Sequence, residues 1–239
     1  MNPNLEMQVS KIQAGLWTVT YGRKAEALDI QEAAFVANDL DIVSPALLGF
    51  LRTKESQGIF NLYSRTSSDV LYDDRTDVVV VVPDGSISRI VGGANLVDAH
   101  RRDREYVIPK NQRDLVYAMV DEMLKNGIAF IAPDGQTRVK TSEFEINDLT
   151  SRLFSNKRLG IEAQEYGNWV QSKGINTNII FMDEKDYSRG QNGPYLNRLR
   201  VYGSDGDFDV FGDSRNLGSH YGAFGVRFKK TAEGGSPKK

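Results

Sequence analysis

Residues 195–228 read YLNRLRVYGSDGDFDVFGDSRNLGSHYGAFGVRF, and this stretch decides how the chain folds and what it does. Lys, Glu, Gln, Met and Trp make up about a fifth of the rest of the chain, yet none of them occurs in these 34 positions. At the composition of the rest, a stretch of this length would hold about seven. Two sets of residues are interleaved here. Leu196, Leu199, Val201, Phe208, Val210, Leu217, Phe224, Val226 and Phe228 form an apolar set. It alternates at period two in Leu199/Val201, in Phe208/Val210 and in Phe224/Val226/Phe228, as expected of strands with one buried face. Burial of each large apolar side chain is worth roughly 1.5–3 kcal/mol, so nine of them can hold the backbone while their neighbours change.

The neighbours have a chemical signature of their own. Take an asparagine codon AAC, keep its last base and replace either adenine by any base. The products include Asn, Asp, Tyr, His, Ser, Gly, Arg, Phe, Leu, Val and Ala, but never Lys, Glu, Gln, Met or Trp. Tyr202, Ser204, Asp205, Asp207, Asp209, Phe211, Asp213, Asn216, Ser219, His220 and Tyr221 all fit that alphabet, as do Asn197 and Ser214. These thirteen residues are the candidate ligand-binding set.

The stretch closes in Gly222-Ala223-Phe224-Gly225-Val226-Arg227-Phe228, with Ser214-Arg215-Asn216-Leu217 before it. On these motifs and the restricted alphabet it resembles the variable proteins of diversity-generating retroelements, in which a reverse transcriptase rewrites the end of a gene with errors at adenines. The resemblance implies an α+β, C-type-lectin-like fold with two helices and a mostly antiparallel sheet, whose last strands carry the exchanged residues. It implies a protein that binds a variable ligand, protein or glycan, and is not an enzyme. Tyr202, Phe211, His220 and Tyr221 would be the anchors, since aromatic side chains give broad contact at small entropic cost. Two rivals remain from other classes: a lectin-frame enzyme of the sulfatase-modifying type, whose formylglycine-generating members depend on cysteines, and a structural phage or virion component.

Upstream, the pattern is helical and then mixed. Ser44-Pro45 is a helix start, with serine as cap and proline at the first turn. Val78–Val82 is a strand, stopped by Pro83-Asp84-Gly85 and expected to lead into a hairpin through Ile87, Ile90 and Val91. Leu115, Val116, Met119, Val120, Met123 and Leu124 recur at helical spacing behind Asn111 as cap, and Leu159, Ala163, Tyr166 and Val170 mark a second helix. A shorter helical patch is expected over Phe144–Phe154, and strands at Ile128–Ile131 and Ile179–Met182. We therefore divide the chain into an N-terminal extension (1–65), a ligand-binding domain (66–230) and a disordered tail (231–239).

Composition excludes several other functions. The 239 residues carry a formal charge of -2, which does not suit a nucleic-acid clamp. There is no cysteine, so no disulfide, thiolate metal site or thiol nucleophile is expected. No stretch approaches the roughly 18 apolar residues of a membrane helix, and MNPNLEMQVSKIQ does not look like a signal peptide. Asp205-x-Asp207-x-Asp209 suggests calcium, but Val210 and Asn216 occupy the positions where an EF-hand loop needs Gly and Glu. His100, within Asp98-Ala99-His100-Arg101-Arg102-Asp103, lacks a nucleophile motif and reads as a solvated turn. No metal or cofactor is expected, and the oligomeric state is open.

Overall fold

Five consecutive valines explain the layering of the molecule. Val79 and Val81 pack into one core, while Val80 and Val82 pack into another on the opposite side. A strand covered on both faces has no wet side, so its sequence shows no alternation. The computed structural model describes residues 7–10, 17–22, 40–54, 64–92, 107–133, 136–174, 176–181, 193–204, 207–211 and 224–228.

Within them the strands are β1 (Met7–Ser10), β2 (Trp17–Gly22), β3 (Asp41–Ile42), β4 (Ser64–Asp73), β5 (Val78–Val82), β6 (Phe130–Ile131), β7 (Gln136–Val139), β8 (Asn176–Ile180), β9 (Tyr195–Ser204), β10 (Asp207–Phe211) and β11 (Phe224–Phe228). The helices are α1 (Pro45–Lys54), α2 (Ser86–Val91), α3 (Lys110–Lys125), α4 (Asp148–Phe154) and α5 (Ala163–Ser172). Seven strands form one sheet in the order β6-β5-β4-β9-β10-β8-β7, antiparallel throughout except where β8 meets β10. A second, antiparallel sheet has the order β1-β2-β11-β3. The architecture is α+β, as the resemblance implied.

Helices α1, α4 and α5 cover one face of the large sheet. Leu47, Leu51, Leu153, Phe154, Tyr166 and Val170 meet Val70, Ile179, Leu199, Val201 and Val210 there. Helices α2 and α3 cover the other face, where Ile87, Val91, Val116 and Val120 meet Leu71, Val80, Val82 and Leu196. Helix α1 begins as its sequence implied: Leu47 N–H donates to the Ser44 hydroxyl at 3.2 Å, satisfying a first-turn donor. Helices α1 and α5 approach closely at Gly49, where a Cβ would lie 2.9 Å from the Tyr166 ring.

Three expectations need correction. The segment 1–65 does not stand apart from the domain: α1 supplies Leu47, Leu48 and Leu51 to the first core, and β1 and β2 extend the sheet that holds β11. The cause is the apolar face of α1, which finds its partner in α5 and the sheet. Second, Pro83-Asp84-Gly85 leads into helix α2, not into a returning strand. Gly85, at φ 66, turns the chain, and Ile87 and Val91 are both buried at the i,i+4 spacing of one helix face. The hairpin lies upstream instead, between β4 and β5. Third, α3 is capped by Pro109 and not by Asn111. Leu115, placed in its apolar stripe, is 54% exposed, and the buried stripe is Val116 and Val120. His100 and the tail 231–239 lie outside the described residues.

Candidate functional site

Register lines up the candidate residues across the large sheet. Val201 and Val210 are paired and both fully buried, which fixes the core side of β9 and β10. Strand positions alternate between faces, so Arg200, Tyr202 and Ser204 of β9 belong to the opposite face, as do Asp207, Asp209 and Phe211 of β10. The pairing is direct: Tyr202 stands against Asp209, Ser204 against Asp207, and Arg200 against Phe211.

The same rows continue into β8 and β7. Asp209 is aligned with Asn178, and Asn178 with Arg138, while Asp207 is aligned with Asn176 and Phe211 with Ile180. One row therefore runs Tyr202, Asp209, Asn178, Arg138 across four strands, and Arg138 at its end is exposed. Facing away from this row, Thr177, Ile179, Val139, Leu199, Val201 and Val210 are all buried. The described members of the second core come from β4, β5, the start of β9, α2 and α3 and the residues beside them. In register the row aligns one tyrosine, one aspartate, one asparagine and one arginine. Those groups suit contact with a polar surface better than burial.

Asn197 is the exception among the candidates. It is 4% exposed, it pairs with Val70 of the first core, and its side-chain oxygen accepts the Arg198 backbone N–H at 2.8 Å. Its odd position in β9 puts it on the same side as Tyr195, Leu199 and Val201, so it belongs to the frame and is not displayed. Asp205, Asp213, Ser214, Asn216, Ser219, His220 and Tyr221 lie outside the described residues. Asn176, Asn178 and Arg138 lie outside the restricted-alphabet stretch 195–228, so that alphabet does not point to them. A usable signal was present in Asn176-Thr177-Asn178, which alternates amide, buried, amide.

Beneath β9 lie buried charged side chains with specific partners. Arg52 is 1% exposed. It donates to the Tyr166 hydroxyl at 2.6 Å and to the Val201 carbonyl at 3.5 Å, tying α1 and α5 to β9. Next to Asn197, Arg198 points to the other face, where its Nε lies 3.4 Å from Asp69 Oδ1. Its Nη1 donates to the Ser67 carbonyl at 2.8 Å. Asp69 also accepts the Ser88 N–H at 2.8 Å. Burial pushes the Asp69 carboxyl above its ordinary range, against the opposing pull of Arg198 and the Ser88 hydrogen bonds. Among the described residues no helix is long and apolar enough to cross a membrane.

No protein-family model matches the chain, and no curated protein matches it either. Its fold matches a solved structure described as the accommodation of massive sequence variation in Nanoarchaeota by the C-type lectin fold. That structure is 15% identical in sequence, with a TM-score of 0.53, and the match covers 94% of this chain and 99% of the other. Helices on both faces of a mostly antiparallel sheet, followed by the late strands β9, β10 and β11, therefore make up a C-type lectin fold.

Proposed function

We propose that this chain is a ligand-binding protein whose β9–β10 face presents exchangeable side chains, and that adenine-directed mutagenesis exchanges them. One observation carries the proposal. Tyr202, Ser204, Asp207, Asp209 and Phe211, all drawn from the restricted alphabet, share the sheet face opposite the buried Val201 and Val210. A change on that face leaves the core contacts in place, and changes at exposed sites typically move stability by only about 0.5 kcal/mol. The solved lectin fold that tolerates massive sequence variation supports the same reading. The ligand is a protein or glycan surface; Tyr202 supplies contact area and the aspartates and serine supply adaptable hydrogen bonds.

The genetic half of the proposal is tested in the DNA around the gene. A near-copy of the segment encoding 195–228, differing at adenines and lying beside a reverse-transcriptase gene, is the expected finding. A complete neighbourhood holding neither would refute that half. The binding half is tested by a displayed library randomised at residues 202, 204, 207, 209 and 211 and selected against hen lysozyme as a probe. Folded binders should emerge from it. A library that folds yet yields none, beside a successful antibody-fragment library, would contradict the display role.

A further inference from the structure

Strand β7 closes the large sheet at the end beyond β10 and β8, and it lies outside the restricted-alphabet stretch. Val139 of β7 is buried in the first core. Alternation therefore puts Arg138 on the opposite face, the one to which Tyr202 and Asp209 belong by register. Arg138 is exposed, and it makes no hydrogen bond or ion pair among the described residues. The chain stays extended into Lys140, at φ -69 and ψ 132, which brings a second cation to the same edge. The Lys140 side chain is 79% exposed and reaches Glu143 only at 3.4 Å. The described charges at this end of the sheet thus leave one guanidinium unpaired.

Distance decides whether that guanidinium matters to a ligand. Neighbouring strands lie about 4.8 Å apart, so Arg138 stands roughly 10 Å from β10 and roughly 14 Å from β9. A standard protein interface takes about 800 Å² from each partner, which is a disc roughly 16 Å in radius. A protein seated over β9 and β10 therefore covers Arg138 too, whereas a single sugar ring over Asp209 does not reach it. Covering an arginine without a partner leaves a desolvated charge, which is costly. Covering it with a carboxylate forms two parallel hydrogen bonds in the geometry that a guanidinium favours. The exchangeable set sets no lasting charge here, since Asp207 and Asp209 are themselves replaceable under the display reading. Arg138 stays the same through every such exchange, because its codon lies outside the stretch.

We infer that Arg138 is a fixed anchor at the rim of the binding face, and that the partner is a protein surface that brings an aspartate or glutamate to it. The inference rests on the display reading and narrows its ligand from protein or glycan to a protein with an acidic patch. Binding specificity is then divided between two sources. Residues 202, 204, 207, 209 and 211 choose the individual partner, and Arg138 chooses its class.

Selection from a library of the full chain, randomised at those five positions, tests the inference. One arm selects against bovine α-lactalbumin, an acidic protein, and the other against hen lysozyme, a basic one. Independent binders from each arm then receive R138Q, or K157Q as a control at an exposed lysine just beyond α4. R138Q should weaken most α-lactalbumin binders at least tenfold, and the loss should shrink as salt is raised. It should leave their Tm unchanged, because the side chain is exposed and unpaired. Lysozyme binders should keep their affinity with R138Q, and α-lactalbumin binders should keep theirs with K157Q. If most α-lactalbumin binders tolerate R138Q, the anchor is overturned and the display reading stands. An equal loss in K157Q, or in the lysozyme binders, also overturns it, since the effect would then not be that of a guanidinium meeting a carboxylate. A folded library that yields no binder to either protein removes the display reading and the anchor together.

Discussion

Arg52 and Asp69 are two buried charged residues with opposite consequences. Arg52 donates to the Tyr166 hydroxyl and the Val201 carbonyl, so Arg52→Ala removes one donor from each and opens a cavity. The expected cost is about 2–4 kcal/mol in urea denaturation; a neutral result would mean that the arginine does not brace β9. Asp69 is different because burial raises its folded-state pKa above the unfolded value. A raised pKa means that the folded state takes up the proton first. Its contribution is thus fully present below the unfolded pKa of 3.8 and is lost as pH rises through the folded value. Relative to Asp69→Asn, the native chain should therefore gain Tm as pH falls from 7 towards 4. A gap that narrows on acidification would contradict this sign.

Within one pair of strands, the register of β9 and β10 puts Asn197 and Tyr202 on opposite faces of the sheet. Asn197 and Tyr202 make the contrast sharp, since both fit the same codon alphabet. Asn197 is buried against the first core, so Asn197→Tyr overpacks it and should cost about 1–3 kcal/mol. Tyr202→Asn, on the opposite face, should stay within about 0.5 kcal/mol. Chemical denaturation of the two variants decides it, and equal losses would erase the distinction between the faces. Period two was legible in Leu199 and Val201, and applied strictly it would have put Asn197 with them. The alphabet alone hid this, because a codon rule carries no information about burial. Helix α2 was misread for a related reason. Ile87, Ile90 and Val91 in so short a stretch suit a strand or a helix, and only the packing of Ile87 and Val91 against Val80 and Val82 resolves the choice.

For the whole molecule, the informative pairing is the most distant one in sequence. Strand β2 pairs with β11 from Trp17↔Phe228 to Tyr21↔Phe224, while β3 gives β11 only two partners, Gly225↔Ile42 and Val226↔Asp41. Deleting residues 1–22 should therefore speed amide exchange at 224–228 by at least tenfold, the equivalent of about 1.4 kcal/mol of lost protection. Unchanged exchange there would show that the N-terminal strands are dispensable. Local pattern could not reveal this contact, since it joins the two ends of the chain. The helices α1, α3 and α5 and the strand β5, whose signals lie within a few turns, were readable directly. A cavity lined by Leu40, Pro45, Arg89 and Leu153 was equally invisible, because its lining comes from elements far apart in sequence.

Saturation mutagenesis of residues 196–211, scored by protease resistance of the displayed protein, measures the division between frame and display at every position at once. Tolerance is expected at 200, 202, 204, 207, 209 and 211, and intolerance at 197, 199, 201 and 210. A profile without that alternation, or with Tyr202 and Asp209 as sensitive as Val201 and Val210, would contradict it.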